Sequence, residues 1–237
     1  MGDQEETTRR LSEVATGIDA ASQALAEQPT TPGALDEIVV QALATVESAD
    51  HAGITLVRGE GFVTPAASDA IPERVDRAQY ELAEGPCVDA STRDSVFRGE
   101  DLTIDPRWPR FAPRALELGV CSMLAVPLFQ HDQRRGALNL YASTPGAFDE
   151  QDEAVAVIFG AQASLALDRA RQHESVQQLE EALDNSRLIG TAVGILMGSR
   201  GLTEQQAMQV LRTASQRRNR KVSELAQAIT YTGELPP

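Results

Sequence analysis

A dense cluster of cations lies near the end of the 237-residue sequence, at Arg217, Arg218, Arg220 and Lys221. On a helix, Arg212 would lie about one and a half turns before the first of them. Cations grouped in this way bind phosphate groups, and arginine also stacks on unpaired bases. The pattern therefore indicates nucleic-acid binding, while a solvated helix end is the ordinary alternative for a run of charges.

The charge of the whole chain hides this cluster. The formal net charge is −14, which by itself argues against binding a polyanion. Residues 186–228 nevertheless contain seven basic side chains and only two acidic ones, which gives +5 and leaves −19 on the rest of the chain. Such a division indicates parts with separate functions. One of the two acids, Glu204 or Glu224, could also pair with Arg212.

The sequence contains no arrangement typical of a catalytic centre. His51, His131 and His173 are scattered without metal-ligand spacing, and the glycine-rich phosphate motifs and the serine-elbow motif are absent. Cys87 and Cys121 form no CxxC pair and are too few for an iron–sulfur cluster. We therefore expect a protein that is not an enzyme and has no metal or cofactor. Cys87 is a candidate sensor thiol or ligand anchor, with a small buried residue as the other interpretation.

The start of the chain and its apolar segments favour a cytoplasmic protein. The opening residues, MGDQEETTRR, lack the apolar run of a signal peptide. No stretch approaches the ~18 apolar residues of a membrane span, and the low cysteine content fits a reducing compartment. We expect no association with a membrane.

Hydrophobic periodicity predicts the elements that precede the cationic tail. Apolar residues at spacings of three and four predict helices over 5–28, 34–49, 71–82 and 110–118. Strands are predicted at 52–57, 62–64, 96–97, 102–104, 121–129 and 137–141, with a polar turn at 132–135. Pro127 implies a bulge or an unpaired segment within its strand. The fold class is therefore α+β, with an antiparallel sheet and flanking helices.

A long helix is predicted from 149 to about 199. Six of its apolar residues fit a heptad-like seam, namely Val155, Ile158, Leu165, Val176, Leu179 and Leu183. Gln162, Arg169 and Gln172 interrupt this seam. The seam indicates either a parallel homodimer or packing against the helix's own domain.

Three helices are predicted in the tail, the first being the end of the long helix. Thr203 is the expected N-cap of the second, with Gln206 as its reciprocal partner in a capping box. Residues 217–220 are the expected turn, and Ser223 is the expected N-cap of the third helix.

The stretch from Arg187 to Met197, RLIGTAVGILM, resembles the opening of an ANTAR domain, the module of the AmiR and NasR transcription antitermination regulators. Further family positions follow at the family's spacing, at Ala207, Leu211, Arg212, Ser215, Asn219 and Ala226. The resemblance covers about 180–235. It implies binding to paired short RNA hairpins near transcription terminators, with antitermination as the outcome.

The resemblance and the charges together give a set of candidate RNA-binding residues. These are Arg187, Ala192, Gly194, Arg212, Ser215, Arg217, Arg218, Asn219, Arg220 and Lys221. Small side chains such as Ala192 and Gly194 would let RNA approach the backbone closely. One position departs from the family, because Val193 stands where many members have Lys or Arg.

Three further motifs, in order along the chain, resemble a GAF domain of the actinobacterial GAF–ANTAR regulators. They are Glu84–Cys87 (EGPC), Asp105–Pro109 (DPRWP) and Leu124–Leu128 (LAVPL). The resemblance covers about 30–170 and implies a sensory or dimerising module whose ligand is a small molecule of unknown type.

We therefore predict four parts: an N-terminal helix (1–29), a GAF-like sensor domain (30–165), a helical linker (166–179) and an ANTAR domain of three helices (180–237). The predicted function is a homodimeric, RNA-binding antitermination regulator controlled by its GAF domain. The alternative is a small-molecule or redox sensor whose helical tail binds a protein partner.

Overall fold

A computed structural model describes residues 15–93, 95–128 and 136–235. The chain divides into two compact units, the first ending at Glu174 and the second beginning at Ser175. The first unit has the α+β architecture predicted from the sequence, and the second is helical.

The first unit is built on an antiparallel sheet. Its five strands are β1 (His51–Arg58), β2 (Gly61–Ala67), β3 (Phe97–Gly99), β4 (Ser122–Leu128) and β5 (Gly136–Ala142). They are arranged in the order β2-β1-β5-β4-β3. The two central strands β4 and β5 are buried along their whole length, as the apolar runs at 121–129 and 137–141 predict.

Helices cover both faces of the sheet. They are α1 (15–26), α2 (Thr31–Thr45), α3 (Ala70–Leu82), α4 (Pro86–Arg93), α5 (Phe111–Glu117) and the first part of α6 (Glu150–Arg200). Alternate residues of the strands point to opposite faces. Leu124 and Val126 pack in one core with residues of α2 and α6, and Met123 packs in the other with residues of α3 and α5.

Close approach of α6 to the sheet depends on a glycine. A Cβ at Gly160 would lie 2.9 Å from the Val126 side chain. The face of α6 that packs here includes Val155 and Phe159, which are both buried. Val155 therefore belongs to the core of the first unit and is not part of an exposed seam, which corrects that part of the heptad prediction.

Two of the strand predictions need correction. Only the 96–97 segment forms a strand (β3), because the Asp101 carboxylate accepts hydrogen bonds from the backbone and hydroxyl of Thr103 and turns the chain there. Of the two outcomes predicted for Pro127, the bulge is wrong, since its register partner is Ala137 in an unbroken β4–β5 ladder, but the segment is unpaired on its β3 side, as the other alternative predicts. Pro127 lies beyond Ala125, the last β4 residue that pairs with β3, so the missing N–H is tolerated.

The helix boundaries differ slightly from those predicted. Helix α2 begins earlier than residue 34, because Thr30 caps it and Pro32 fits its first turn. Helix α4 was not predicted from the sequence. Residues 5–14 of the predicted first helix and the predicted turn at 132–135 lie outside the described residues.

The second unit comprises the end of α6, α7 (Glu204–Arg218) and α8 (Val222–Thr232). The predicted capping box is present, with reciprocal bonds between Thr203 and Gln206. The predicted cap Ser223 is wrong, because the N-cap of α8 is Lys221, two residues earlier, and the helix begins at Val222. A small apolar core joins the three helices, made of Ala192, Val193, Leu196, Ala207, Leu211, Ala214, Leu225, Ala226 and Ile229.

Candidate nucleic-acid interface

The predicted cationic cluster lies at the junction of α7 and α8. Arg217 and Arg218 belong to the last turn of α7, so the connection itself is shorter than the predicted 217–220 turn. Asn219 ends the helix with a left-handed backbone (φ 50°), a conformation that asparagine adopts more readily than most residues. Arg220 and Lys221 then lead directly into α8. We call residues 217–221 the basic turn.

Ser215 holds the basic turn in place. Its hydroxyl donates a hydrogen bond of 2.5 Å to the carbonyl oxygen of Arg220. Its own carbonyl oxygen accepts from the backbone N–H of Arg220 at 3.2 Å. Because both bonds end on one residue of the basic turn, Ser215 fixes the backbone that carries the cations.

Few carboxylates neutralise these cations. Arg220 pairs with Glu224, with Nε and Oε2 separated by 3.1 Å and both side chains about half exposed. Among the described residues, Arg217 and Lys221 are exposed and form no ion pair, and Arg212 does not pair with either glutamate considered from the sequence. The basic turn thus keeps exposed positive charge.

The candidate residues on α6 lie in different environments. Arg187 is exposed and pairs at 3.5 Å with Asp184. Ala192 is completely buried in the core of the second unit, and Val193 is 5% exposed. Gly194 is exposed, and a Cβ built on it would meet no atom within 4 Å. The open surface of α6 is therefore at Gly194, and Ala192 and Val193 contribute to packing.

The first unit contains a buried polar cluster centred on Asp76, a residue of α3. The Asp76 carboxylate accepts hydrogen bonds from Tyr141 (2.5 Å), Thr64 (3.0 Å), Gln79 (3.2 Å) and Asn139 (3.3 Å). Complete burial raises the pKa of Asp76 to about 6, although the bonds from Tyr141, Thr64 and Asn139 favour its charged form. The carboxylate is thus enclosed by donors.

The remaining members of this Asp76 cluster are Thr55, Tyr80 and Cys87. Thr55 accepts from Asn139 at 2.8 Å and shares a hydrogen bond of 2.9 Å with the Tyr80 hydroxyl. Cys87 is completely buried, and burial raises the pKa of its thiol, with the charge of Asp76 acting in the same direction. A thiol with a raised pKa is a poor nucleophile, which supports the interpretation of Cys87 as a small buried residue.

The sequence contained one signal for this cluster. Asn139 lies in the middle of the apolar run Ala137–Tyr141, and a polar residue in a fully buried strand needs partners. Its Oδ1 atom has no hydrogen-bond partner among the described residues. Asp76 itself gave no signal, because three of its four donors lie on two other elements of the fold, β2 and β5.

The GAF-like motifs have structural roles around α4 and α5. Glu84 accepts hydrogen bonds from the backbone N–H groups of Arg110 and Phe111 and pairs with the Arg110 side chain at 2.9 Å. Trp108 is buried and donates to Asp89 at 2.9 Å. These motifs therefore bring together segments distant in sequence.

A solvent-open cleft of about 440 Å³ lies between α3 and α5. Arg74, Arg77 and Arg114 line it together with Glu81 and Glu117. It is not formed by Cys87 or other members of the Asp76 cluster. No helix within the described ranges has an apolar run long enough to cross a membrane.

Comparison with known families assigns both parts of the chain. Residues 30–168 match the GAF domain model, and residues 177–229 match the ANTAR domain model. The comparison with curated proteins found no match.

Solved structures agree with the fold of the first unit. The GAF domain of an Acinetobacter phosphoenolpyruvate-protein phosphotransferase is 19% identical, covers 67% of this chain and 94% of its own, and has a TM-score of 0.53. A GAF domain of a sensor histidine kinase from Pseudomonas syringae pv. tomato is 18% identical, with coverages of 74% and 98% and a TM-score of 0.52.

An enzyme has the same fold. Free methionine-R-sulfoxide reductase from Neisseria meningitidis is 15% identical, covers 67% of this chain and 90% of its own, and has a TM-score of 0.53. At these identities the likeness concerns the fold alone. The GAF model covers more than half of the residues, and the chain therefore belongs to the GAF domain family, with an ANTAR domain following its GAF domain.

Proposed function

We propose that this protein is a cytoplasmic RNA-binding regulator of the GAF–ANTAR type found in actinobacteria. In this proposal the ANTAR domain binds paired RNA hairpins and promotes antitermination under control of the GAF domain. The observation that carries the proposal is the exposed basic turn at the α7–α8 junction of a unit that matches the ANTAR model.

Local charge supports RNA as the partner. No carboxylate occurs between Gln205 and Ser223, although the whole chain contains 35 acidic residues. Apart from Glu224, which pairs with Arg220, phosphate groups therefore meet an excess of cations on this surface. Phosphate contacts from such cations are insensitive to base sequence and weaken as salt increases.

We propose further that the chain acts as a homodimer through α6. The part of the seam that does not pack in the first unit is exposed, with Ile158 at 49%, Leu165 at 50%, Val176 at 53%, Leu179 at 62% and Leu183 at 51%. Exposed apolar side chains in such a row favour a partner helix. Two ANTAR domains in one dimer would bind two hairpins with avidity.

The proposed dimer can be tested by measuring the molar mass of the protein in solution. We expect the wild-type chain to elute in light-scattering chromatography at twice its 25.5 kDa mass, and Leu179→Glu with Leu183→Glu to elute as a monomer. The matched control adds the same two charges at exposed polar positions of the same helix outside the seam, Gln178→Glu and Asn185→Glu. A wild-type monomer, or a dimeric double glutamate variant, would reject the seam as the interface.

A sensor or an enzyme is the competing class of function. The raised pKa of the Cys87 thiol argues against a redox sensor based on this residue. At 15% identity the fold shared with a reductase gives no support for the same chemistry, and the notable acid, Asp76, is enclosed by its partners rather than open to a substrate. We therefore favour a regulator without catalytic activity or a cofactor, whose GAF domain responds to a small ligand of unknown type.

The direct experiment is filter binding with a transcript that carries two hairpins. We expect this RNA to bind more tightly than a transcript with either hairpin alone, and much more tightly than duplex DNA of the same stem sequence. The proposed function would be contradicted if the protein bound the RNA and the DNA equally well. It would also be contradicted if the protein bound none of a panel of terminator-leader transcripts.

A further inference from the structure

A stripe of residues on α7 carries hydrogen-bonding side chains that the packing of the module does not use. Gln205, Gln209, Arg212 and Gln216 follow one another at spacings of four, three and four, which places them on one side of a helix. All four are exposed. The side chains that α7 buries, at Ala207, Leu211 and Ala214, lie on its opposite side. We call this stripe the glutamine face.

The glutamine face differs from the other polar positions of the module. Gln206, the next glutamine on α7, is already used, because its Oε1 accepts from the backbone N–H of Thr203 at 2.9 Å in the capping box. Within the described part of the chain, the side chains of Gln205 and Gln216 form no hydrogen bond. Gln209 makes one contact of 3.4 Å, to Thr213. The amides of the face are therefore available to a partner.

The chemistry of the face suits the edges of bases rather than phosphates alone. Each glutamine amide offers two N–H donors and a carbonyl acceptor, and arginine offers a planar fork of donors. Paired donor and acceptor groups of this kind form two-bond contacts with bases, whereas a lysine or arginine on a phosphate does not distinguish one base from another. Unpaired loop bases present these edges to a protein.

The position of the face agrees with this partner. It runs about 16 Å along α7, at ~1.5 Å per residue, and its last member, Gln216, is adjacent to the basic turn. A hairpin held by its phosphates on Arg217 and Lys221 therefore has base-reading groups beside it. No acidic residue lies on this face, so the approach of RNA is not opposed.

We infer that the glutamine face reads the bases of the RNA loops, so that Gln205, Gln209 and Gln216 determine which hairpin is bound while the basic turn supplies affinity. This inference rests on the proposed RNA-binding function. It separates the two contributions: loss of the amides changes sequence preference, and loss of the cations changes the dependence of binding on salt.

The test is a selection from a pool of two-hairpin RNAs with randomised loop bases, using the full-length chain. We expect the wild-type protein to enrich particular loop bases. The triple variant Gln205→Ala, Gln209→Ala and Gln216→Ala should lower that enrichment by about tenfold or more, in line with the discrimination lost with one two-bond base contact. Its affinity for the unselected pool should decrease much less, and its salt dependence should match the wild type, because no charge is removed.

The matched control is Gln227→Ala, which removes the same amide from an exposed position on α8 and should leave enrichment unchanged. Alanine is the best helix former, so folding of the triple variant is expected to be preserved and is checked by circular dichroism. The inference would be overturned if the triple variant enriched the same loop bases as the wild type. It would also be overturned if the wild-type protein bound the pool without preference. Either result would leave the proposal of RNA binding intact. A wild-type protein that binds no RNA would overturn the proposed function as well.

Discussion

The two units of this protein place their polar groups in opposite environments. The GAF unit buries a carboxylate, Asp76, among donors from α3, β2 and β5. The ANTAR unit leaves Arg217 and Lys221 of its basic turn exposed at the surface, and Glu224 pairs with Arg220. A buried network responds to changes inside its own domain, whereas exposed charges respond to an external partner. The GAF unit thus keeps its notable carboxylate inside its own core, whereas the ANTAR unit presents cations at its surface.

Replacing the centre of the buried network should have the largest effect. In Asp76→Ala, the donors of Tyr141, Thr64 and Asn139 lose their shared acceptor, so we expect the free energy of unfolding of the GAF unit to fall by about 3 kcal/mol or more. Urea unfolding followed by the fluorescence of Trp108, the single tryptophan of the chain, measures this unit specifically.

The matched control for this variant is Asp36→Ala, which removes an exposed aspartate of α2 and should change the unfolding free energy by less than about 0.5 kcal/mol. Equal stability of the Asp76 and Asp36 variants would show that the buried network does not hold the GAF unit together.

The pH dependence of stability tests the same carboxylate with a smaller effect. Because the pKa of Asp76 is raised from 3.8 to about 6 in the folded protein, its protonated form favours folding. This contribution is complete below about pH 3.8 and is lost as pH rises through 6, and amounts to about 1 kcal/mol between pH 5 and 7. Asp50, Asp69, Glu84 and Asp105 have lowered pKa values and act in the opposite direction, below this window.

The difference between wild type and Asp76→Asn isolates this titration. We expect the unfolding free energy of the wild type, measured by urea and Trp108 fluorescence, to decrease by about 1 kcal/mol more than that of the variant between pH 5 and 7. Parallel pH profiles for the two proteins would mean that Asp76 does not titrate in this range.

The smallest effect is expected for Ser215, whose hydroxyl bond positions the basic turn, and it concerns the affinity for RNA. Ser215→Ala removes the hydroxyl bond to the Arg220 carbonyl but no charge. We expect affinity for a two-hairpin RNA to fall a few-fold, about 1 kcal/mol or less, with an unchanged salt slope. The control Ser199→Ala, at an exposed position of α6, should bind as the wild type does. Affinity for the RNA equal to that of the wild type would mean that the Ser215 hydroxyl bond does not position the basic turn.

The features that local sequence dictates were predictable. The capping box needs only Thr203 and Gln206 three residues apart, and the central strands need only their apolar runs. Ser223 was a misleading signal, because the N-cap of α8 is Lys221, which has no side-chain capping bond, and Ser223 already lies inside the helix. Local patterns therefore located the starts of the second and third ANTAR helices to within about two residues.

Features that depend on distant contacts were not predictable. The Asp76 cluster joins residues separated by up to 84 positions, such as Thr55 and Asn139. The predicted seam on α6 contains residues in two environments, since Val155 is buried in the core of the first unit and Leu165 is exposed. Periodicity places residues on a face, and the neighbours of that face come only from the fold.

The most direct test of RNA binding by the ANTAR unit concerns the basic turn. The salt dependence of binding to a two-hairpin RNA is measured for the wild type and for Arg217→Ala with Arg218→Ala. We expect weaker binding and a log–log salt slope that is smaller by about 1.5, because two phosphate contacts are lost. Affinity and slope equal to those of the wild type would contradict RNA binding by the basic turn.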